Sequence, residues 1–309
     1  MDKTIFDRAE LRNSLLAALA YFDLFDLPLT VMELRRWRWG GPSGEPTAAD
    51  ILDALKDTPT GESEGYYFLA GRDKIVGIRQ RRYRLAERKF QLAGRFARWA
   101  RLLPSVRLVA VCNSLALANS EKESDIDLFI VCRPGTLWAT RLLLAGFLKL
   151  LGRRPTPTRS ADTYCLSFFL SEDRLDISNL ALPAGDAYLC YWTATLAPIY
   201  DAGGVMEKFA RDNAWVRASL PGFAAPEIGE RRLIPRCRST FWLRPLLEWF
   251  DAAAKKIQAG RFPLVIAELA NLDSRVVVAD DILKFHVNDR RAFFDQRFRA
   301  RLAELGLKP

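Results

Sequence analysis

The 309-residue sequence contains a single histidine, His286, and five cysteines with no C-x-x-C pair. One histidine excludes zinc sites that need two or more. The separated cysteines indicate neither a zinc ribbon nor a disulfide framework. No apolar segment reaches the roughly 20 residues of a membrane-spanning helix, and no secretory signal pattern is present. We therefore predict a soluble, cytoplasmic protein with reduced cysteines and no membrane partner.

Hydrophobic residues and basic charge, in contrast, are abundant. Half of the residues are hydrophobic, which excludes a fully disordered chain. Lysine and arginine number 46 against 37 aspartates and glutamates, and the formal net charge is +9. The excess is local, because residues 72–107 hold 12 basic residues and only two acids, Asp73 and Glu87. Such a segment indicates an anionic partner, whether nucleic acid, nucleotide phosphates or lipid.

The first 80 residues are predicted to form a winged-helix-like domain. Three polar residues, each with an acid three positions later, precede apolar helical patterns: Asp7, Thr30 and Thr47. These are helix-start signals of the capping-box type. Residues 66–70 and 74–78 flank a turn at 71–73, which predicts two short strands. Three helices followed by a hairpin is the order of a winged helix.

Residues 80–103 are predicted to form a long helix with a basic stripe. Its members are three, four and seven residues apart and so share one face: Arg81, Arg84, Arg88 and Arg95. A stripe of this kind can follow a nucleic-acid backbone, and it is equally typical of a solvated helix face.

Beyond residue 104 the pattern alternates between strands and helices, which predicts an α+β fold. Strands are predicted at 106–112, 124–131, 163–170 and 174–178, with a helix at 136–151. After residue 183 the predicted elements are helices at 186–196, 205–218, 243–259 and 288–305, with a short strand at 276–278. The predicted domains are 1–80, a core at 81–183 and a mainly helical region at 184–309.

Polar residues suited to binding a metal or a phosphate lie at the end of one predicted strand and at the start of the next. Asn113-Ser114 ends the first strand, and after ten more residues Asp125-Ile126-Asp127-Leu128 opens the second. Alternation along a strand places Asp125 and Asp127 on one face. Adjacent carboxylates repel each other, and a divalent cation between them removes that penalty. The small polar turn offers backbone N–H groups to a phosphate.

This arrangement resembles the DNA polymerase beta-like nucleotidyltransferase superfamily over residues 104–180. That superfamily has a hydrophobic-Gly-[Gly/Ser] turn, a spacer of about ten residues and an Asp-hydrophobic-[Asp/Glu]-hydrophobic strand. The resemblance implies a mixed sheet flanked by helices. It also implies transfer of a nucleoside monophosphate from an NTP, such as ATP, to a hydroxyl or phosphate acceptor, with two Mg²⁺ ions.

The resemblance also implies roles for particular residues. Asp125 and Asp127 match the catalytic metal ligands, and Asn113 and Ser114 match the nucleotide-binding turn. The third carboxylate of the family lies between hydrophobic residues on a later strand, and Asp176 matches it. Asn113 stands where the family has glycine, and asparagine is one of the few other residues that tolerate a left-handed backbone.

Alternatives remain open from the sequence. Asp125 and Asp127 also fit the polar face of an edge strand, and Ser114 also fits a helix N-cap. His286, without a placed partner, is more typical of a surface or core residue than of a catalyst. The alternative function is a nucleic-acid-binding regulatory protein that acts through residues 72–107 and carries a vestigial nucleotidyltransferase core.

Overall fold

The computed structural model describes residues 6–156, 158–226, 232–236 and 241–308. Within this part of the chain the fold is α+β, as predicted, and is built on an open, mixed, six-stranded sheet. Helices cover both faces of this sheet, and each face has its own hydrophobic core. None of the described helices combines the length and the apolarity that crossing a membrane requires.

The N-terminal region has the predicted order of three helices and a hairpin. Its elements are α1 (Arg8–Asp23), α2 (Val31–Trp37), α3 (Ala48–Ala54), β1 (Thr60–Ser63) and β2 (Tyr66–Leu69). Thr30 and Thr47 form the capping boxes that start α2 and α3. The Asp7 carboxylate caps α1 by accepting from two backbone N–H groups. The winged-helix assignment itself stays a prediction.

The predicted strand at 74–78 is wrong, because these residues begin the long helix α4 (Lys74–Ala100). Ile75, Val76 and Arg79 are all buried, and their spacing of three and four residues is that of a helix face. The β-branched side chains suggested a strand, but tertiary burial of this face favours the helix. The hairpin therefore pairs β2 with the preceding strand β1.

The central sheet has the strand order β6-β3-β4-β5-β8-β7. Its strands are β3 (Val106–Val111), β4 (Ile126–Cys132), β5 (Tyr164–Ser171), β6 (Ala197–Asp201), β7 (Val276–Val278) and β8 (Ile282–Phe285). Strands β4 and β5 are parallel, and the other neighbours are antiparallel. The parallel pair needs a crossover connection, which helix α6 (Leu137–Leu150) provides.

The region after residue 183 contains more helix than strand, as predicted, but it also supplies three of the six strands in the described sheet: β6, β7 and β8. Its helices are α7 (Ala187–Thr195), α8 (Val205–Asp212), α9 (Arg244–Ala259), α10 (Leu264–Leu269) and α11 (Arg291–Glu304). The predicted boundary at 183 therefore corresponds to no break in the sheet.

The predicted strand at 174–178 is also wrong, and the segment is a loop that leads into a short 3₁₀ turn. Leu175 and Ile177 are buried while Asp176 between them is exposed. This alternation imitates a strand in the sequence. In the structure, the two apolar side chains anchor the loop to the core beneath α7 and α8.

A third hydrophobic core joins the N-terminal helices to the end of the chain. Tyr21 of α1 stacks on Tyr191 of α7 with ring centroids 3.9 Å apart, and its edge meets Phe298 of α11. The same core includes residues from α2 and α3. The four described cysteines are free, and Cys237 lies outside the described residues.

Candidate functional site

Two carboxylates and a thiol converge where β4 and β5 begin. Asp125 immediately precedes β4, and Asp127 is its second residue. Asp127 pairs in register with Cys165 on the neighbouring strand β5. Ligand atoms of Asp125, Asp127 and Cys165 all lie within 4.8 Å of one another. Because β4 lies between β3 and β5, it is not an edge strand, and the edge-strand alternative is wrong.

All three side chains line one cavity of about 570 Å³. Asp125 and Asp127 therefore do share a face, as their spacing predicts. A second wall comes from the end of β8 and the start of α11, and further side chains come from α7. The volume falls within the range of about 300–1,000 Å³ that is typical of small-molecule sites.

The carboxylates lie in an environment that disfavours their charge. Burial, and then repulsion from Asp127, raises the pKa of Asp125 from 3.8 to about 6. Burial also raises the pKa of Asp127, although hydrogen bonds from Asn113 and Cys165 oppose this shift. Neither carboxylate forms an ion pair with a described residue. A divalent cation bound here would relieve the repulsion.

Asn113 occupies the turn between β3 and the short helix α5 (Asn113–Ala116) with a positive φ of 55°. This is the left-handed backbone conformation that glycine, the superfamily's residue at this position, adopts readily. Because asparagine also tolerates it, the turn is preserved. Its Nδ2 donates to Asp127 Oδ2 at 2.9 Å. The Tyr188 hydroxyl in turn donates to Asn113 Oδ1 at 3.3 Å. The side chain therefore orients one of the two carboxylates.

Ser114 does not line the cavity that holds Asp125 and Asp127. It lines a smaller cavity beside it, which also includes Asn113. The N-cap position of α5 is Cys112, so the N-cap alternative for Ser114 is wrong. The predicted phosphate contact of Ser114 stays a prediction.

The structure does not bring Asp176 to the other two acids. Asp176 is exposed in the loop after β5, and its carboxylate accepts from the backbone N–H of Ser178 at 2.8 Å. It does not line the cavity. The β5 position that faces Asp127 is Cys165 instead. Its context, between Tyr164 and Leu166, is the hydrophobic context expected for the third carboxylate.

The wall formed by β8 and α11 carries three cationic side chains. Arg291 is buried and pairs with Asp186 and Asp289, each at 2.8 Å. Lys284 is also buried, 3.5 Å from Asp289. Arg290 is exposed, with its guanidinium over the ring of Phe294, and forms no ion pair with a described residue. Arg290 is thus the cation on this wall that can receive an anionic ligand.

His286 also lines the cavity, with its Nε2 3.1 Å from the Ser167 hydroxyl. Burial lowers the pKa of His286 from 6.5 to about 3, so the ring is neutral near pH 7. The isolated histidine is therefore a half-buried wall residue and a weak base.

The predicted basic stripe lies on the exposed side of α4, away from both cavities. Arg81, Arg84, Arg88 and Arg95 are all exposed, as the spacing predicts. Arg88 pairs with Asp162 at 2.9 Å. At least six basic residues of the 72–107 segment pair with acids from remote parts of the chain: Arg72, Arg79, Arg82, Arg88, Lys89 and Arg107. Much of the local excess of positive charge is therefore offset in the folded protein.

The sequence did not single out Cys165, Ser167, Tyr188 or Arg290, and it treated His286 as structural. These residues come from elements far apart in the chain. Only Cys165 had a local signal, since it occupies the hydrophobic context expected for the third carboxylate.

The two carboxylates fit one divalent cation, and the Cys165 thiol lies within 4.8 Å of their ligand atoms. Two ions, as implied by the resemblance, would need further carboxylates, and Asp176 does not supply one here. Comparisons of the chain with protein-family models, with curated proteins and with solved structures found no match. The function is therefore argued from the geometry of the site.

Proposed function

We propose that this protein is a metal-dependent nucleotidyltransferase that moves a nucleoside monophosphate from an NTP to a hydroxyl or phosphate acceptor. The observation that supports this most strongly is the pair Asp125 and Asp127. They lie two residues apart at the start of the central strand β4, line a cavity of about 570 Å³ and form no ion pair with a described residue. Charge that is buried without compensation is costly, and it is typical of functional sites.

In this proposal Asp125 and Asp127 hold Mg²⁺. The bound ion would neutralise phosphate charge and lower the pKa of the acceptor hydroxyl. Asn113 keeps the Asp127 carboxylate turned toward the cavity, and Tyr188 keeps Asn113 in place. Arg290 lines the same cavity as the acids and would bind the triphosphate through its guanidinium, which suits phosphate oxygens.

The thiol of Cys165 distinguishes this site from the three-carboxylate site that the resemblance implies. Mg²⁺ prefers oxygen ligands, whereas a thiol suits softer metals. The two aspartates are thus sufficient to carry Mg²⁺, and Cys165 acts by donating hydrogen bonds to them. Mn²⁺, which accepts a wider range of ligands, should support the reaction as well.

The test is transfer from α-³²P-labelled NTPs with Mg²⁺ or Mn²⁺, using small alcohols, the protein itself and RNA as acceptors. Asp127→Asn should lower the rate by about a thousandfold, since a metal site supplies several kcal/mol to the transition state. The matched control is Asp176→Asn, whose rate of label transfer should stay within about twofold of the wild-type rate. Label transfer that survives Asp127→Asn would contradict the proposal, as would the lack of transfer from any of the four NTPs.

A second candidate function is the binding of nucleic acid along α4. Arg81, Arg84 and Arg95 are exposed and form no ion pair with a described residue. If this stripe follows a phosphate backbone, replacing all three by glutamine should reduce the salt dependence of RNA or DNA binding by about two to three units of slope. Asp127→Asn should leave that slope unchanged. An identical slope for the triple variant would remove this candidate.

A further inference from the structure

A second cavity, of about 250 Å³, adjoins the one that holds the acids. Its walls combine the two ends of the chain, because Tyr21 of α1 and Phe25 just after α1 line it together with Phe294 of α11. Tyr188 and Tyr191 of α7 complete an aromatic lining. The N-terminal helices are therefore not a separate appendage but part of the surroundings of the site.

The two cavities are neighbours with a common wall. Four residues line both of them: Asn113, Tyr188, Trp192 and Phe294. Through Asn113, this wall includes the residue that hydrogen-bonds Asp127. A molecule that extends from one cavity to the other would therefore pass within reach of the candidate metal ligands.

The lining of the smaller cavity presents flat aromatic surfaces. Tyr188 and Phe294 are close to parallel, with ring centroids 5.7 Å apart and an interplanar angle of 20°. Phe25 lies against Phe294 at 4.8 Å. Rings of this kind stack on planar ligands, and base–aromatic stacking contributes about 1–3 kcal/mol per base.

Several polar groups in this lining are already engaged, whereas the hydroxyl of Ser114 is available to a ligand. The Tyr188 hydroxyl donates to Asn113, and the Tyr191 hydroxyl donates to a backbone carbonyl. Asn119 Nδ2 donates to the carbonyl of Phe25. The Ser114 hydroxyl forms no hydrogen bond with a described residue, so it can bond a polar edge of a bound ring.

We propose that the smaller cavity binds a planar aromatic ring of the substrate, with Ser114 bonding its polar edge. The ring is the nucleobase of the NTP or an aromatic acceptor, and this assignment to a substrate rests on the proposed function. At about 250 Å³ the cavity is smaller than a typical site for a whole ligand, so it takes the ring alone. The larger cavity, with Arg290 and the two aspartates, takes the charged part.

The test measures direct binding, by calorimetry and by tryptophan fluorescence, on the full chain. The probes are adenosine, guanosine, cytidine and uridine for a nucleobase, 4-methylphenol for an aromatic acceptor, and Mg²⁺-tripolyphosphate for the charged part. Leu117 lines only the smaller cavity. Leu117→Trp should fill this cavity and weaken binding of the ring probe at least tenfold, whereas Leu117→Met, of similar volume, should change it less than twofold.

Ser114→Ala provides a gentler variant in case Leu117→Trp misfolds, and it should weaken ring binding about fivefold through one lost hydrogen bond. Leu117→Trp should leave tripolyphosphate binding unchanged, because Leu117 does not line the larger cavity. Saturable binding of a nucleoside identifies the ring as the nucleobase, and binding of 4-methylphenol alone identifies it as the acceptor.

The failure of this inference is distinguishable from the failure of the proposed function. If none of the ring probes binds, or if all three variants bind them as the wild type does, the inference is overturned even when NTPs are turned over. If a ring probe binds and Leu117→Trp or Ser114→Ala weakens it, the inference stands even when no label is transferred.

Discussion

The larger cavity has an acidic wall with Asp125 and Asp127 and a basic wall with Lys284 and Arg291, and the two walls differ in how their charges are compensated. The acids have no cationic partner among the described residues, and burial raises the pKa of both. Lys284 and Arg291 on the other wall are buried, and both pair with Asp289, while Arg291 also pairs with Asp186. The compensated wall therefore holds the fold together, by joining α7 to α11, whereas the uncompensated wall is kept at a cost to stability.

The largest expected effect tests the compensated wall. Arg291→Ala removes the partner of the buried Asp186 carboxylate and should cost about 3–5 kcal/mol of unfolding free energy, measured by urea denaturation. Arg290→Ala is the matched control on the adjacent, exposed arginine and should change stability by no more than about 0.5 kcal/mol. Equal losses in the two variants would remove the distinction between the walls.

An intermediate effect tests the uncompensated wall through pH. Because the pKa of Asp125 is raised from 3.8 to about 6, the folded state holds more protons than the unfolded state between these values. Without divalent cations, wild-type stability should therefore fall relative to Asp125→Asn as the pH rises from about 4 to 6, by on the order of 1–2 kcal/mol. Above that window the difference should be constant.

Denaturation curves of the wild type and Asp125→Asn at several pH values measure this difference, with and without Mg²⁺. Mg²⁺ should stabilise the wild type and have little effect on the variant. A wild type that instead gains stability over the variant as the pH rises from 4 to 6 would show that the carboxylate is compensated after all.

The smallest expected effect concerns Asn113, which touches the acidic wall. Asn113→Gly and Asn113→Ala both remove the hydrogen bond to Asp127, but only alanine is strained at a φ of 55°. Thermal unfolding should therefore find the alanine variant about 1 kcal/mol less stable than the glycine variant. Equal stability of the two would mean that the turn relaxes when the side chain is shortened.

The parts of the fold that could be predicted are those with long periodic patterns. Strands β3 and β4 and helix α6 follow clear apolar runs. Strands β6 and β8, with five and four residues, are too short to show a period of two. They are strands because β3 and β5 offer them unpaired edges, and this depends on tertiary structure rather than on local preference.

The residues of the candidate site likewise fall into two groups: those that lie close together in the sequence, and those that only the fold brings together. Asp125, Asp127 and Asn113 lie near one another in the sequence, so their spacing indicates a shared function. Cys165 joins them only because β5 pairs in parallel with β4, and Arg290 only because β8 continues the sheet. The alternating pattern around Asp176 predicts a strand, but in the structure the apolar residues on either side of Asp176 anchor a loop.

The strand order also has a consequence for synthesis on the ribosome. The partner of β5 on its outer side, β8, is completed only at residue 285, which is 114 positions after β5 ends at residue 171. At roughly 5–20 residues per second, the nascent polypeptide carries that open edge for on the order of ten seconds. Throughout this interval the edge is a template for pairing with other chains. The demand on chaperones should therefore be greatest while these late residues are being translated.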